Sequence, residues 1–262
     1  MHYIHNIDPI AFYLFDIPFA WYWLSYLAGL LVTIFYGHHL IVKLHSPLKT
    51  FDYWQHLQWG WPALFIGARF IYIIFYNFSF FWENPQYIPQ IWLGGMSFHG
   101  ALLGIGISAL IVSRKQKSSF FSYTDIIATV APIGIFLGRI SNFINGELAG
   151  RPSDLPWAVI FPRLYDNTPR HPSQLYEAFG EGILLFIILR LSLRRNIHTP
   201  GIQTAFFLSG YGFIRFFIEF FRLPDSQLGT FLGLSMGQYL CLVMILTGVI
   251  VYKKRVGYSP LK

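Results

Sequence analysis

Residues 126–151 read IIATVAPIGIFLGRISNFINGELAGR, and the change of character at Gly138 decides how the chain is read. Ile126 to Leu137 carries no charge and can begin a membrane span, whereas Gly138 to Arg151 brings Arg139, Asn142, Asn145 and Glu147 among glycines. An arginine inside a bilayer costs about 2.5–3.5 kcal/mol on insertion scales. An anionic ligand, a buried acid or a water network must offset that cost. If the helix continues, Arg139, Asn142 and Asn145 fall three residues apart on roughly one face, and Gly146 and Gly150 end or kink it. A competing interpretation is close helix packing through small residues four apart, Gly134 with Gly138 and Gly146 with Gly150. Packing and ligand approach both fit the glycines, but packing leaves Arg139 and Glu147 unexplained, so a site is the favoured interpretation.

The surrounding sequence supplies the membrane setting. Hydrophobic residues make up 54% of the chain and charged ones 12%, against about 25% charged in soluble domains. Apolar stretches of the roughly 20 residues needed for a crossing recur along the chain. They predict an all-α polytopic membrane protein with seven transmembrane helices, at about 18–42, 54–76, 94–113, 124–142, 173–191, 202–221 and 235–252, in one domain over 1–262. The start does not read as a cleaved signal peptide, because Asp8 and Asp16 precede the first apolar run and no basic region does. Twelve of the nineteen Lys and Arg follow spans one, three, five and seven: Lys43, Lys49, Arg114, Lys115, Lys117, Arg190, Arg194, Arg195, Lys253, Lys254, Arg255 and Lys262. The positive-inside rule then places the N-terminus outside and the C-terminus in the cytoplasm.

The basic residues are scattered over loops, so the net charge of +7 suits anionic lipid headgroups rather than nucleic acid. Cys241 is the single cysteine and lies in the seventh apolar run, where it reads as a small hydrophobe. No Cys/His or carboxylate spacing suggests a metal, and no cofactor is expected.

Three more polar blocks fall on outer halves of spans. GGMSFHG, 94–100, puts His99 at the mouth of span three, suited to proton transfer or to a hydrogen-bonded packing role. RHPSQLYE, 170–177, begins a helix with Glu177 and Glu181 on one face, and the embedded arginines are their expected partners. In 210–225, Arg215, Glu219 and Arg222 form a charged stripe on a helix of Phe and Ile. That stripe is either a phosphate-binding pocket organised by Glu219 or a self-satisfied ion-pair brace.

In order, GGMSFHG, GRxxNFINGELxGR, RHPSQLYE and YGxxRFxxEFFRxPD resemble the bacterial prolipoprotein diacylglyceryl transferase family, as does SMGQ at 235–238. The resemblance spans nearly the whole chain. It implies a seven-helix enzyme of the bacterial cytoplasmic (inner) membrane with its active site towards the outer side. The implied reaction moves the diacylglyceryl group of phosphatidylglycerol to the lipobox cysteine of a prolipoprotein, forms a thioether and releases glycerol phosphate. Its partners are phosphatidylglycerol, signal-peptide-bearing prolipoproteins and membrane lipid.

By matching positions, the resemblance implies Arg139 and Arg215 on the lipid phosphate, Glu219 and Arg222 organising that pocket, and His99 in thiol activation or headgroup orientation. It also implies Asn142, Asn145, Glu147 and Gly150 lining the headgroup site, together with Tyr22, which otherwise reads as an aromatic-belt residue. Arg69 matches a further family arginine, for which a structural ion pair and a direct role both fit. Trp23, Ala101 and Ser141 stand where the family has glycine. A transporter or channel and a different lipid-headgroup enzyme, such as a phosphotransferase needing an acidic metal cluster or a nucleophile, are the rival classes. No inverted repeat and no acidic metal cluster speaks for either.

Overall fold

The computed structural model describes residues 2–223 and 230–256. The Pro224–Asp225 end of the last long motif, and Lys262, lie outside the described residues. A helix covers each of the seven apolar segments: Trp21–Lys43, Thr50–Tyr76, Phe98–Gln116, Phe120–Asn145, 173–196, Ile202–Ile218 and Met236–Val256. Four of them are long and apolar enough to cross a membrane: Trp21–Lys43, Thr50–Tyr76, Phe120–Asn145 and Met236–Val256. Apolar side chains such as Phe35, Ile66, Phe70 and Leu246 point outward, a surface suited to lipid rather than water. Pro62 and Pro132 sit inside helices, as membrane helices tolerate.

Helix edges differ from the expected ones where local backbone chemistry intervenes. The first helix begins at Trp21 instead of 18, because Ile17–Ala20 pairs antiparallel with Ile10–Leu14. Phe15 and Asp16 turn that hairpin with φ of 48° and 62°, the left-handed pair that matches strand twist. The third begins at Phe98 instead of 94: Gly94 and Gly95 have φ of 86° and 74°, and Ser97 Oγ accepts from the Gly100 amide at 3.3 Å as an N-cap. The sixth ends at Ile218 instead of 221.

The chain divides into two compact units, Met1–His39 with Asp125–Lys262, and Leu40–Thr124. In the second unit, Thr50–Tyr76 and Phe98–Gln116 approach closely. A side chain at Gly100 would collide with the Gly67 carbonyl, and one at Gly104 with the Ala63 carbonyl. Beside them His56, fully buried, stacks on Tyr123 at 4.1 Å.

In the first unit, Ile202–Ile218 packs on Met236–Val256. A Cβ at Gly212 would stand 2.8 Å from the Cys241 carbonyl, and one at Gly248 would stand 2.7 Å from the Ala205 carbonyl. The start of Ile202–Ile218 is capped from a distant position. Buried Asp125 accepts from Gly201 N at 2.7 Å, Thr204 N at 2.8 Å and Thr204 Oγ1 at 2.6 Å. These are helix-end donors that would otherwise lack partners. At the far end of Phe120–Asn145, Gly146 has φ of 72°, Gly146 N bonds Phe143 O and Glu147 N bonds Asn142 O. That Schellman ending turns the chain back with Glu147 beside the last helical turn.

Candidate active site

Three helical segments of the first unit bring six charged side chains together. Phe120–Asn145 supplies Arg139. The 173–196 helix supplies Glu177 and Glu181. Ile202–Ile218 and the turn after it supply Arg215, Glu219 and Arg222. Glu177 is the hub. Its Oε2 lies 2.7 Å from Arg139 Nε, and its Oε1 lies 3.0 Å from Arg215 Nη1 and 2.9 Å from Arg222 Nη1. Glu181 stands 3.5 Å from both Arg139 and Arg215. Glu219 holds Arg215 Nη2 at 2.7 Å and Arg222 Nε at 3.5 Å.

This arrangement revises the charge balance suggested by the sequence stripe. Arg215, Glu219 and Arg222 alone make a positive pocket. The packed structure adds Arg139 and two carboxylates, so the six groups are formally neutral. Neutrality lets the cluster remain charged inside an apolar bundle, where an unpaired ion costs several kcal/mol. Access also differs within the cluster. The side chains of Arg139 and Arg215 are 16% and 12% exposed, whereas those of Glu177 and Glu181 are 1% and 0%. Glu177 and Glu181 lie deep and brace Arg139 and Arg215, which remain partly open, whereas Arg222 and Glu219 are alike at 8% and 9%.

Residues 178–184 form a π-helical turn that carries Glu181 between Gly180 and Gly182. A Cβ at Gly180 would stand 2.7 Å from Ile214 Cγ2, next to Arg215, and one at Gly182 would stand 2.6 Å from Phe136 Cβ, one turn before Arg139. The two glycines let both arginine-bearing helices close on Glu181.

Glu219 is fixed from the last helix. Ser235 Oγ donates to Glu219 Oε1 at 2.9 Å, Gln238 Oε1 accepts from Ser235 N at 2.9 Å, and Gly237 leaves room beside the Glu219 carboxylate. SMGQ thus acquires a physical role that spacing did not suggest.

A second polar layer sits at the end of Phe120–Asn145. Asn142 Nδ2 donates to Glu147 Oε1 at 2.7 Å and Asn145 Nδ2 does so at 3.3 Å, while Arg139 Nη1 lies 3.5 Å from Asn142 Oδ1. RHPSQLYE fastens this turn. Gln174 Nε2 donates to the Glu147 carbonyl at 2.6 Å, Ser173 Oγ donates to the Leu148 carbonyl at 3.0 Å, and the His171 carbonyl accepts from Gly150 N at 2.9 Å. Gly150 is a backbone junction. It bridges Arg222, and a side chain there would strike the Phe221 carbonyl. Arg170 serves the neighbouring loop, paired with Asp166 at 3.1 Å and placed over the Tyr165 ring.

Packing does not explain the glycines before Arg139, since a Cβ at Gly134 or Gly138 would meet nothing within 4 Å among the described residues. Tyr22 stands at the start of Trp21–Lys43 with its hydroxyl 3.4 Å from that of Tyr26. Ser141 donates to the Trp21 carbonyl at 3.3 Å and so ties the Arg139 helix to the Tyr22 helix. Ser173, Gln174, Ser235, Gln238, Gly180 and Gly182 join the site only through the fold. The polar ones carry one signal in the sequence, as side chains with no water to bond inside an apolar bundle. His99 and Arg69 belong to the other compact unit, where His99 is the second residue of the helix that Ser97 caps. No group of three or more His, Cys, Asp or Glu that could hold a metal occurs among the described residues. Cys241 is fully buried.

Comparison with known proteins agrees with these motifs. The family model for prolipoprotein diacylglyceryl transferase matches residues 9–253. A phosphatidylglycerol–prolipoprotein diacylglyceryl transferase of Methylococcus capsulatus is 46% identical over 247 residues, covering 93% of this chain and 94% of its own. That of Azospirillum brasilense is 44% identical over 248 residues, covering 93% and 92%, and that of Proteus mirabilis is 41% identical over 267 residues, covering 94% and 90%. With matches of this extent over the same residues that build the charged cluster, the chain belongs to the prolipoprotein diacylglyceryl transferase family.

Proposed function

We propose that the Arg139–Glu177–Arg215 cluster is the phosphate site of the reaction this enzyme performs, transfer of a diacylglyceryl group from phosphatidylglycerol to a prolipoprotein thiol. The sulfur attacks the glyceryl carbon, the carbon–oxygen bond to the phosphate breaks, and the electron pair leaves on glycerol phosphate. The thiol proton passes to a base, for which His99 is the candidate. A free thiol has a pKa near 8.5, so a base or positive field is needed to generate the thiolate.

The lipid phosphate carries one negative charge before transfer and gains a second as the bond breaks. Groups that stabilise the second charge more than the first lower the barrier. Partly open guanidiniums, held in place by carboxylates behind them, suit that task because they need no reorganisation as charge develops. The observation that carries this reading is the difference in access between Arg139 and Arg215 and the sealed Glu177 and Glu181. Asn142, Asn145 and Glu147 suit the glycerol hydroxyls of the headgroup. Tyr22 adds a hydroxyl at the same helix ends, and Gly150 shapes the backbone there.

For the membrane arrangement, we read all seven helices as crossings within a single domain, with the N-terminus outside and the C-terminus cytoplasmic. The enzyme then sits in the bacterial cytoplasmic membrane with its site towards the outer side. The loop-charge asymmetry supports this, and the polar cluster lies at the helix ends opposite those that carry the basic residues. An ion-pair brace without a ligand is the second reading, favoured by the short internal distances.

Membranes containing the protein, labelled phosphatidylglycerol and a lipobox peptide separate the two. Thioether-linked lipid is expected with the wild type and a loss of at least a hundredfold with Arg139→Ala or Arg215→Ala in folded protein. Full activity in both variants rejects the phosphate assignment.

A further inference from the structure

Among the described residues, Arg69 has no acidic partner in its cage and no donor left over for a phosphate. Its side chain is buried in the Leu40–Thr124 unit, and each of its five N–H groups is directed at a different backbone carbonyl. Nε donates to Ile88 O at 3.0 Å. Nη1 donates to Gly94 O at 2.6 Å and Gly95 O at 3.1 Å, and Nη2 donates to Tyr87 O at 2.6 Å and Gln90 O at 3.4 Å. The guanidinium also lies over the Phe81 ring, 4.8 Å from its centre. Five N–H groups are all that a guanidinium has. The carbonyl dipoles and ring face therefore serve as the counter-charge, and the ion-pair expectation gives way to a backbone cage.

The cage closes on the segment that leads into the His99 helix. Gly95 fits only as glycine, with φ of 74° and a would-be Cβ 2.8 Å from Arg69 Nη1 and 2.6 Å from Tyr72 Cε1. Two residues on, Ser97 N bonds the Ala68 carbonyl at 3.0 Å, adjacent to Arg69. Ser97 then caps the helix, and His99 follows. Residues 87–95 have little regular structure of their own, so one side chain replaces the ladder that would otherwise fix their path.

We propose that Arg69 is a positioning residue for the transfer reaction, acting through His99 by fixing the 87–97 path rather than by touching the lipid. This rests on the assignment of His99 to thiol activation or headgroup orientation. Lysine keeps the charge but offers three donors from one point and cannot span five carbonyls. A shift of about 1 Å in a reacting group costs on the order of a hundredfold in rate.

The test measures kcat and KM for phosphatidylglycerol and for a lipobox peptide with Arg69→Lys, His99→Asn and the double variant in purified enzyme, with melting temperatures as a check of folding. Arg69→Lys is expected to lower kcat by about ten- to a hundredfold with an unchanged KM for phosphatidylglycerol. The double variant should be no slower than His99→Asn. Phe81→Leu, which loosens the guanidinium without altering charge, should move kcat in the same direction by less and serves if Arg69→Lys does not fold. A raised KM for phosphatidylglycerol at unchanged kcat overturns the proposal in favour of direct lipid contact. Losses that multiply in the double variant overturn it in favour of a general brace. Wild-type rates for Arg69→Lys with an inactive His99→Asn reject the Arg69 role alone, whereas a fully active His99→Asn rejects the His99 assignment itself.

Discussion

Arg139 and Glu177 meet at 2.7 Å between two helices whose sequence positions are 38 residues apart, and the carboxylate is sealed from solvent while the guanidinium is not. The pair sets the orientation of Arg139, and through Glu177 Oε1 it couples Arg139 to Arg215 and Arg222.

Glu177→Gln removes the hub charge and leaves three guanidiniums with two carboxylates. Breaking a buried pair in this way costs about 3–5 kcal/mol. The melting temperature in detergent is expected to fall by roughly 10 °C, with transferase activity lost. A variant as stable and active as wild type would show that the hub is dispensable.

Gly182→Ala and Gly180→Ala test the closeness of the arginine helices. Each new methyl meets a side chain of a neighbouring helix at 2.6–2.7 Å, so the helices must move apart. Activity is expected to drop by about tenfold or more, since overpacking typically costs 1–3 kcal/mol. Gly106→Ala is the control, because a Cβ there meets nothing within 4 Å among the described residues.

Ser235→Ala removes the hydroxyl that donates to Glu219 and accepts from Gln238 N at 3.2 Å. Hydrogen bonds to charged groups are worth about 1.5–3 kcal/mol. Freed from Ser235, Glu219 should hold Arg215 less firmly. The expected result is a kcat reduced by about tenfold in a folded enzyme, measured as initial rates at saturating lipid.

Asp125→Asn probes the anchor at the opposite end of the Arg215 helix. Asp125 receives donors at both oxygens. Asparagine must therefore turn its NH2 towards one N–H group and leave that group unsatisfied, at a cost of about 1–3 kcal/mol. A lower melting temperature is expected, with a smaller effect on rate than Ser235→Ala. An unchanged melting temperature would mean that the cap carries no weight.

Much of this was legible in the chain itself. Apolar length predicts helices at all seven segments, and the three-and-four-residue spacing predicts that Arg215, Glu219 and Arg222 share a face. Glycine marks both the Schellman end at Gly146 and the unwound entry at Gly94–Gly95. The misplaced helix starts at 18 and 94 arise because hydropathy does not distinguish an apolar strand or loop from the first turn of a helix.

What the sequence determined by itself is local: which segments become helices, which faces carry charge, and which family motifs are present. The sequence also points to the embedded arginines as partners of Glu177 and Glu181, but the tertiary structure decided which groups meet. Glu177 turned a positive stripe into a neutral, braced cluster, because pairing between helices depends on packing geometry rather than spacing. Arg69 found its counter-charge in five backbone carbonyls, and every residue carries a carbonyl, so only the folded path of the chain distinguishes those five.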